Sequence, residues 1–523
     1  MRFLPRTRGG VIWRAAVACV LVIGFAAATT AVAGLLQVKQ IVDYLKVTRP
    51  LVSHSITPPS PGAPQTLLLI GVDHRVGQGS GPGNTDTMIL VRIDDSSSTI
   101  NMLSIPRDVA VQIPGFGFSK INAAYADGGN NGPNLLLQTI KQDVFPQLQV
   151  NHILVIDFQD FANLITSIGC VYSDVDHRYY NDNNGLSAAN NYSSINIQPG
   201  YQRLCGNNGA PDSALAFVRF RHNDSDMVRQ SRQQDFLIWA KSQFSSSTLL
   251  AKQTQLERQF GRDVQTDGQL HTIDGVDEMF GLLFNADGST IKSIPFPISG
   301  NATSAAVGDY LTFDPTQAQQ AFNEFMTPTT TPSKSSPPPV SPVRTRRHHR
   351  FTLPASMVDS RVPGRLQATQ LGRPGLPVYY PAALPSNFMF CFTSTANCNE
   401  PTNAPSAYVN SYPRHYTIHD SGHIYPSWVM TLVEQSGGYA DMGTGQYFTV
   451  QGTTWQDPPI LRGAHTVQVV NGKKLYEYSQ GGQLALVAWH TPQAVYWISN
   501  TLQNFIPADQ MVAMAATLTR AAG

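Results

Sequence analysis

Arg219, Arg221, Arg229 and Arg232 fall within fourteen residues, in the stretch RFRHNDSDMVRQSRQQ, of a chain in which only 14% of residues are charged. Read as a strand, AFVRFR sends Arg219 and Arg221 from the same face and turns Phe220 to the opposite layer. After the turn HNDSD, Arg229, Arg232 and Gln233 stand at i, i+3 and i+4 of a helix and share one polar edge near its start, where Asp224 or Asp226 offers an N-terminal cap. Planar forks converging from two elements suit a dianionic or pyrophosphate group, because each guanidinium can bind two oxygens. The alternative is a set of interdomain or surface ion pairs, which would contribute about 0 to 1 kcal/mol each.

Carboxylates accompany the arginines. GVDHR places Asp73 and Arg75 just past one apolar run, NTDTMILV places Asp86 directly before another, and SIPRD adds Arg107 and Asp108 at the end of a third. Two carboxylates at strand ends can share a hard cation; Mg²⁺ takes one or two carboxylates and completes its shell with water and phosphate oxygens. Read singly, each of these aspartates is also an ordinary turn residue. No Cys-x-x-Cys or Cys/His metal spacing is present.

The setting of this chemistry is legible in the composition. A net charge of +1 over 523 residues makes the arginine cluster a local device and argues against nucleic acid as a partner. At the N-terminus, Arg2, Arg6, Arg8 and Arg14 precede an uncharged run from Ala15 to Leu36. As a helix this run would reach about 33 Å, enough to span a hydrocarbon core of roughly 30 Å. The positive flank predicts a cytoplasmic N-terminus, with the bulk of the chain outside a cell membrane crossed once. A cleaved signal peptide is the other reading, since Ala31-Val32-Ala33 has the small-x-small form of a cleavage site. Both readings export the chain. Cys170 with Cys205, and Cys391 with Cys398, form an even set that could bridge in an oxidising compartment; four buried free thiols are the alternative.

Two folded units are expected. Residues 1–14 are a cytoplasmic N-terminus, 15–36 the membrane helix, 37–64 a juxtamembrane connector, 65–326 the site-bearing domain, 327–350 a Pro/Ser-rich linker and 351–523 a smaller accessory domain. In the first domain TLLLIGV, TMILVRI, TINMLSI and HILVID read as buried strands, interleaved with the helices PNLLLQTIKQDV and FQDFANLITSIG, the second starting at Asp157 and closed by Gly169. An α/β fold follows, an α/β/α sandwich with a mixed central sheet. The second domain reads as α+β: KLYEYS, LALVAWH and AVYWIS form a meander joined by QGGQ and TPQ, and a helix begins near Ala508.

LLLIGVDHR, TDTMILV, LSIPRDVAVQIPGFGFSKINAAYADGG, VIDFQDF and ALAFVRFRHNDSDMVRQSRQQ, in this order, resemble the LytR-CpsA-Psr family of cell-envelope phosphotransferases. The resemblance implies a Mg²⁺-dependent enzyme, or one using Mn²⁺ in its place. Its reaction would move a glycopolymer, as its sugar phosphate, from a polyprenyl-pyrophosphate carrier to a peptidoglycan hydroxyl and release polyprenyl phosphate. By motif position Asp73 and Asp86 would be metal ligands, and Arg75, Arg107, Arg219, Arg221, Arg229 and Gln233 would contact phosphate oxygens. Arg232 would share the substrate edge of the helix and Lys120 would stand at the pocket rim. Asp226 would orient an arginine, assist the metal or accept the acceptor's proton. Two departures from the family pattern stand out: Asn84 replaces an arginine, and Met227 and Val228 occupy a turn where glycine is frequent. A hydrolase acting on the same lipid and a non-catalytic sensor of it are the alternatives, and the latter would tolerate loss of the two carboxylates.

Overall fold

The computed structural model describes residues 51, 55–60, 62–73, 83–181, 194–206, 212–220, 224–243, 264–270, 272, 274, 290–328, 351–372, 375–392, 398, 412–435 and 447–521. Arg75, Arg221, the apolar run 15–36 and all but the first two residues of the expected linker lie outside these. Among the described residues no helix is long and apolar enough to cross a membrane.

Four apolar runs become strands where expected: β1 (Gln65–Asp73), β2 (Asn84–Asp94), β3 (Thr99–Ser104) and, after the hairpin of β4 (Ala110–Ile113) and β5 (Gly117–Lys120) and the helix α1 (Gly132–Thr139), β6 (His152–Asp157). The chain continues through α2 (Phe158–Ile168), β7 (Val171–Val175), β8 (Gly200–Leu204), α3 (Ala214–Arg219), α4 (Asp226–Gln243), β9 (Val264–Thr266), β10 (Thr290–Ile294) and α5 (Pro315–Met326). The six-stranded sheet runs β9-β6-β1-β2-β3-β10. β1 is antiparallel to β2 and parallel to β6, so the sheet is mixed. Alternation along β1 decides which layer each residue joins. Leu68, Ile70 and Val72 face a core closed by Leu136 of α1 and Phe322 and Phe325 of α5. Leu67 faces the other way, where Ile89 and Met102 meet Leu237 and Ile238 of α4. The expected sandwich is therefore present. Asp157 caps α2 by accepting from the Asp160 N–H, and Gly169 closes it at a φ of 107°, a left-handed setting that suits glycine.

One element differs from expectation. AFVRFR is not a strand: Ala214–Arg219 is helical, its start capped by the Ser213 side chain, and the chain leaves the helix at Phe220. Ser213 is a strong cap, and α3 buries Phe217 among Val171, Tyr179 and Phe236, which a two-residue alternation cannot reveal.

The C-terminal unit is α+β. β11 (Phe388–Phe390), β12 (Arg414–Asp420), β13 (His423–Glu434), β14 (Tyr447–Thr453), β15 (Thr466–Val470), β16 (Lys473–Gln480), β17 (Gln483–His490) and β18 (Val495–Ser499) form one antiparallel sheet. The helix α6 (Ala508–Ala516) covers one face. The opposite face packs on the first unit. Tyr172 and Tyr201, from β7 and β8, join Trp455, Leu461 and Trp497 in one apolar cluster. Asp174 of β7 accepts hydrogen bonds from Gln451, Ser499 and Trp497 of the C-terminal sheet. Tyr416 O–H donates to Gln451 Oε1 at 3.0 Å while its oxygen accepts from Tyr201 N at 2.8 Å. Whatever path the intervening segment takes, the two units share a buried seam. Both cysteine pairs are bridged, Cys170–Cys205 in the first unit and Cys391–Cys398 in the second.

Burial pushes the Asp174 carboxyl up to about 6, against the hydrogen bonds from Ser499, Gln451 and Trp497 that favour its charged form, with nearby Asp176 pushing in the same direction as burial. A raised acid holds its proton in the folded chain after the unfolded chain has lost it. The stability it contributes is thus full below about pH 4 and is lost as pH rises through 6. The shift of about two units corresponds to roughly 3 kcal/mol. Denaturant unfolding at pH 4.5 and pH 8 is expected to show this component in the wild type and to lose most of it in Asp174→Asn; an unchanged pH slope would count against the assignment.

Candidate anion site at the end of the central sheet

The site forms where β1 ends and β2 begins. In the β1–β2 ladder Gly71 pairs with Thr87 and Val72 with Thr85, so Asp86 is the extra residue of a bulge. A bulge re-aims a side chain that regular pleating would place elsewhere. Here it falls close to the tip of the same ladder, where Asp73 pairs with Asn84. Gly83 permits this closure, because a Cβ there would lie 2.2 Å from the Asp73 carbonyl oxygen.

Three arginines arrive from three elements. Arg107, in the turn after β3, forms an ion pair with Asp86 and has Asp108 at 3.5 Å. Burial works against its charge, but Asp86, Asp108 and Asp226 outweigh that effect and raise its pKa, so the guanidinium stays charged. Arg219, the last residue of α3, lies 3.8 Å over the Phe158 ring and 4.0 Å from Asp73. Arg229, in the first turns of α4, donates to the Asp86 carbonyl oxygen at 3.1 Å and to Asp226 Oδ1 at 2.5 Å. The β4–β5 hairpin returns Lys120 to Asp108 at 3.2 Å. Arg107, Lys120 and Arg219 retain 24%, 27% and 19% side-chain exposure, so they form the open mouth, with Arg229 and Asp226 buried behind them.

Gln233 donates to Thr87 Oγ1 at 3.0 Å and to the Val218 carbonyl at 3.1 Å, and so ties α4 to both β2 and α3. Asp226 accepts from Arg229 and from Gln230 (2.9 Å), which makes it the residue that orients Arg229. At the helix start the Val228 N–H bonds to Ser225 Oγ at 3.4 Å. Tyr125 is a buried packing residue.

Arg232 does not join the mouth, contrary to the helical-edge reading. It is fully buried, its guanidinium 4.5 Å from the Tyr179 ring centroid, paired with Asp224 and donating to the carbonyls of Phe217 (3.2 Å) and Phe220 (2.8 Å). The spacing placed it beside Arg229, but the rings of Tyr179, Phe217 and Phe220 draw its planar fork into the core, where it fastens the end of α3. Phe158 was missed as a site residue; its only trace in the sequence is its place directly after the capping Asp157 in VIDF.

Asp73 and Asp86 offer oxygen ligands of the kind a hard cation takes. Among the described residues no group of three His, Cys, Asp or Glu side chains gathers as a metal cage. A cation held by these two carboxylates would take its remaining ligands from water or from a bound phosphate.

A mixed sheet with arginines and paired carboxylates at one end defines the class, an α/β protein with a charged cleft at the end of its central sheet. Residues 37–326 match the model of the LytR_cpsA_psr family, and the chain belongs to that family. It is 32% identical over 240 residues, 45% of this chain and 67% of the other, to a polyisoprenyl-teichoic acid–peptidoglycan teichoic acid transferase TagU of Oceanobacillus iheyensis. It is 30% identical over 209 residues, 39% of this chain and 50% of the other, to the TagV protein of the same description from Bacillus subtilis. The crystal structure of B. subtilis TagV superposes at 24% identity and a TM-score of 0.41, covering 51% of this chain and 97% of that one.

Replacing Arg232 with Met leaves Asp224 buried without its ionic partner, which typically costs about 3 to 5 kcal/mol. Denaturant unfolding is expected to show a loss of that size; a loss under about 1 kcal/mol would mean that Arg232 does not fasten α3.

Proposed function

We propose that the chain is a membrane-anchored, extracytoplasmic phosphotransferase that moves a glycopolymer sugar phosphate from a polyprenyl-pyrophosphate carrier to a peptidoglycan hydroxyl. The observation that carries the reading is the convergence of Arg107, Arg219 and Arg229, each beside a carboxylate, on the bulged end of β1–β2. The names of the curated relatives support the substrate class. The disulfides support an exported location.

In this reading the acceptor hydroxyl oxygen attacks the phosphorus attached to the sugar. The bond from that phosphorus to the bridging oxygen breaks, polyprenyl phosphate leaves with the bond's electron pair, and the hydroxyl proton passes to water or to an oxygen of the leaving phosphate. Arg107 and Arg219 hold the phosphate oxygens as negative charge shifts toward the bridging oxygen. Arg229, fixed by Asp226, stands behind them as a third donor. Asp73 and Asp86 would hold Mg²⁺ or Mn²⁺, which when bound supplies further positive charge against the phosphates. Arg75 and Arg221 belong to the same motifs and extend the set, and Lys120 completes the rim.

The test is incubation of the full chain with Mg²⁺, a synthetic polyprenyl-pyrophosphate-linked glycan and peptidoglycan fragments, with products read by mass spectrometry. A sugar phosphodiester on the acceptor together with polyprenyl phosphate is expected. Free sugar phosphate would indicate a hydrolase, and intact bound donor a sensor. Arg219→Ala is expected to lower turnover at least tenfold, since losing one partner of a charge-assisted contact typically costs about 2 to 5 kcal/mol. Asp73→Ala and Asp86→Ala should each abolish metal-dependent turnover, and wild-type rates in both would overturn their assignment.

A further inference from the structure

α4 is gripped from two sides. Toward the central sheet it offers Gln233 to Thr87 and Gln234 to Ser104, at 3.0 and 2.8 Å. Two residues along a helix is a rotation of roughly 200°, so Asp235 looks away from Gln233. There Asp235 Oδ1 accepts from Gln480 Nε2 at 2.9 Å. Gln480 belongs to the C-terminal unit, at the start of the QGGQ turn between β16 and β17. The next residue, Gly481, donates its N–H to the Ile291 carbonyl of β10 at 2.9 Å. Its φ is 59°, and a Cβ there would stand 3.3 Å from Lys292 Cγ, so the turn lies close against the first sheet. The far end of α4 is tied to the same seam: Gln243 bonds both the N–H and the carbonyl of Tyr172, at 2.7 and 2.6 Å, while Tyr172 O–H bonds the His419 carbonyl at 2.9 Å.

We infer that the C-terminal unit is a positioning element of the donor site, its QGGQ turn holding α4 against the central sheet so that Arg229 and Gln233 stand at Asp86 and Thr87. Gln480 and Asp235 are positioning residues and touch no reacting group. The inference rests on the reading of that site as a pyrophosphate site. Removing the brace weakens the site without altering any residue in it.

The test uses the full chain with geranylgeranyl pyrophosphate as probe, and reads both probe affinity and amide hydrogen exchange over Asp226–Gln243. Gln480→Leu is expected to weaken binding about tenfold and to speed exchange in α4, with β13 and β14 of the C-terminal sheet protected as in the wild type. Asp235→Asn keeps an accepting oxygen and should match the wild type in both measurements. Gln480→Glu supplies a readout that a folding defect would not give. Burial, opposed by the Gln480 hydrogen bond and joined by nearby Asp176 and Asp174, pushes Asp235 up to about 7. The Gln480→Glu variant should therefore bind nearly normally at pH 5.5, where Asp235 carries its proton, and weakly at pH 8, where two carboxylates face each other. Wild-type exchange in α4 of Gln480→Leu, or a pH-independent Gln480→Glu, overturns the inference. Should the wild type not bind the probe while Gln480→Leu still loosens α4, the pyrophosphate reading fails and the brace stands. Should Arg219→Ala lose binding while both Gln480 variants keep it, the brace fails and the pyrophosphate reading stands.

Discussion

Like charges cannot be gathered in a partly buried cleft unless each is answered. Arg107 meets Asp86 and Asp108, Arg219 meets Asp73 and Arg229 meets Asp226, at least one carboxylate to each guanidinium. This pairing is the condition on which the rest of the site depends. The partners come from different elements: β1 and β2 supply Asp73 and Asp86, while the arginines arrive from the turn after β3, the end of α3 and the start of α4. The bulge at Asp86, the helical turn ending at Arg219 and the glycine beside Asp73 are local solutions to that one requirement. On the proposed function the pairing also couples two ligands. Asp73 and Asp86, if they held a cation, would share their charge between it and Arg107 and Arg219, leaving those guanidiniums better able to hold an anion. Metal and pyrophosphate would each make room for the other.

α4 is where these constraints meet, and it is an unusual helix. RQSRQQD is polar on every side, a pattern that ordinarily marks a solvated helix. Yet Arg229, Gln230, Arg232, Gln233 and Gln234 are all buried. Their amides and guanidiniums are matched one by one: Gln230 to Asp226, Arg232 to Asp224 and two carbonyls, Gln233 to Thr87 and Val218, Gln234 to Ser104. Hydrogen bonds are directional where apolar contacts are not, so a helix seated this way has one setting rather than a range of them. That property suits a helix that must place Arg229 to within a hydrogen bond's tolerance.

The contrast explains what could be read beforehand. The strands β1, β2, β3 and β6 and the helix α2 announced themselves through apolar runs and a cap-to-glycine frame, because burial between layers selects residue type directly. Asp73, Asp86 and Arg107 were legible from their places at strand ends. Arg219 reads as a strand residue but ends a helix, since a six-residue helix leaves too short a record to compete with the alternation in AFVRFR. Arg232 failed for a different reason. Its position on the helix was right, and only the aromatic floor made by Tyr179, Phe217 and Phe220, contributed by separate parts of the chain, decides which way the side chain goes.

The docking of the C-terminal unit was illegible for the same reason on a larger scale. A stretch rich in Pro and Ser suggests a boundary between two units in sequence, but it carries no information about whether they adhere. The adhesion lies in single residues: Tyr172 and Tyr201, stacked with centroids 5.4 Å apart, Trp455 at 5.3 Å from Tyr172, and Trp497 at 5.9 Å from Tyr201. Aromatic area of this kind supplies attraction without fixing register. Asp174 supplies the register, because a buried carboxylate is tolerated only where Gln451, Ser499 and Trp497 all reach it. A displacement that kept the rings in contact would still strand that carboxylate. The same requirement that pairs charges in the open site thus fixes the position of the C-terminal sheet, and through Gln480 and Gln243 it reaches the helix that carries Arg229.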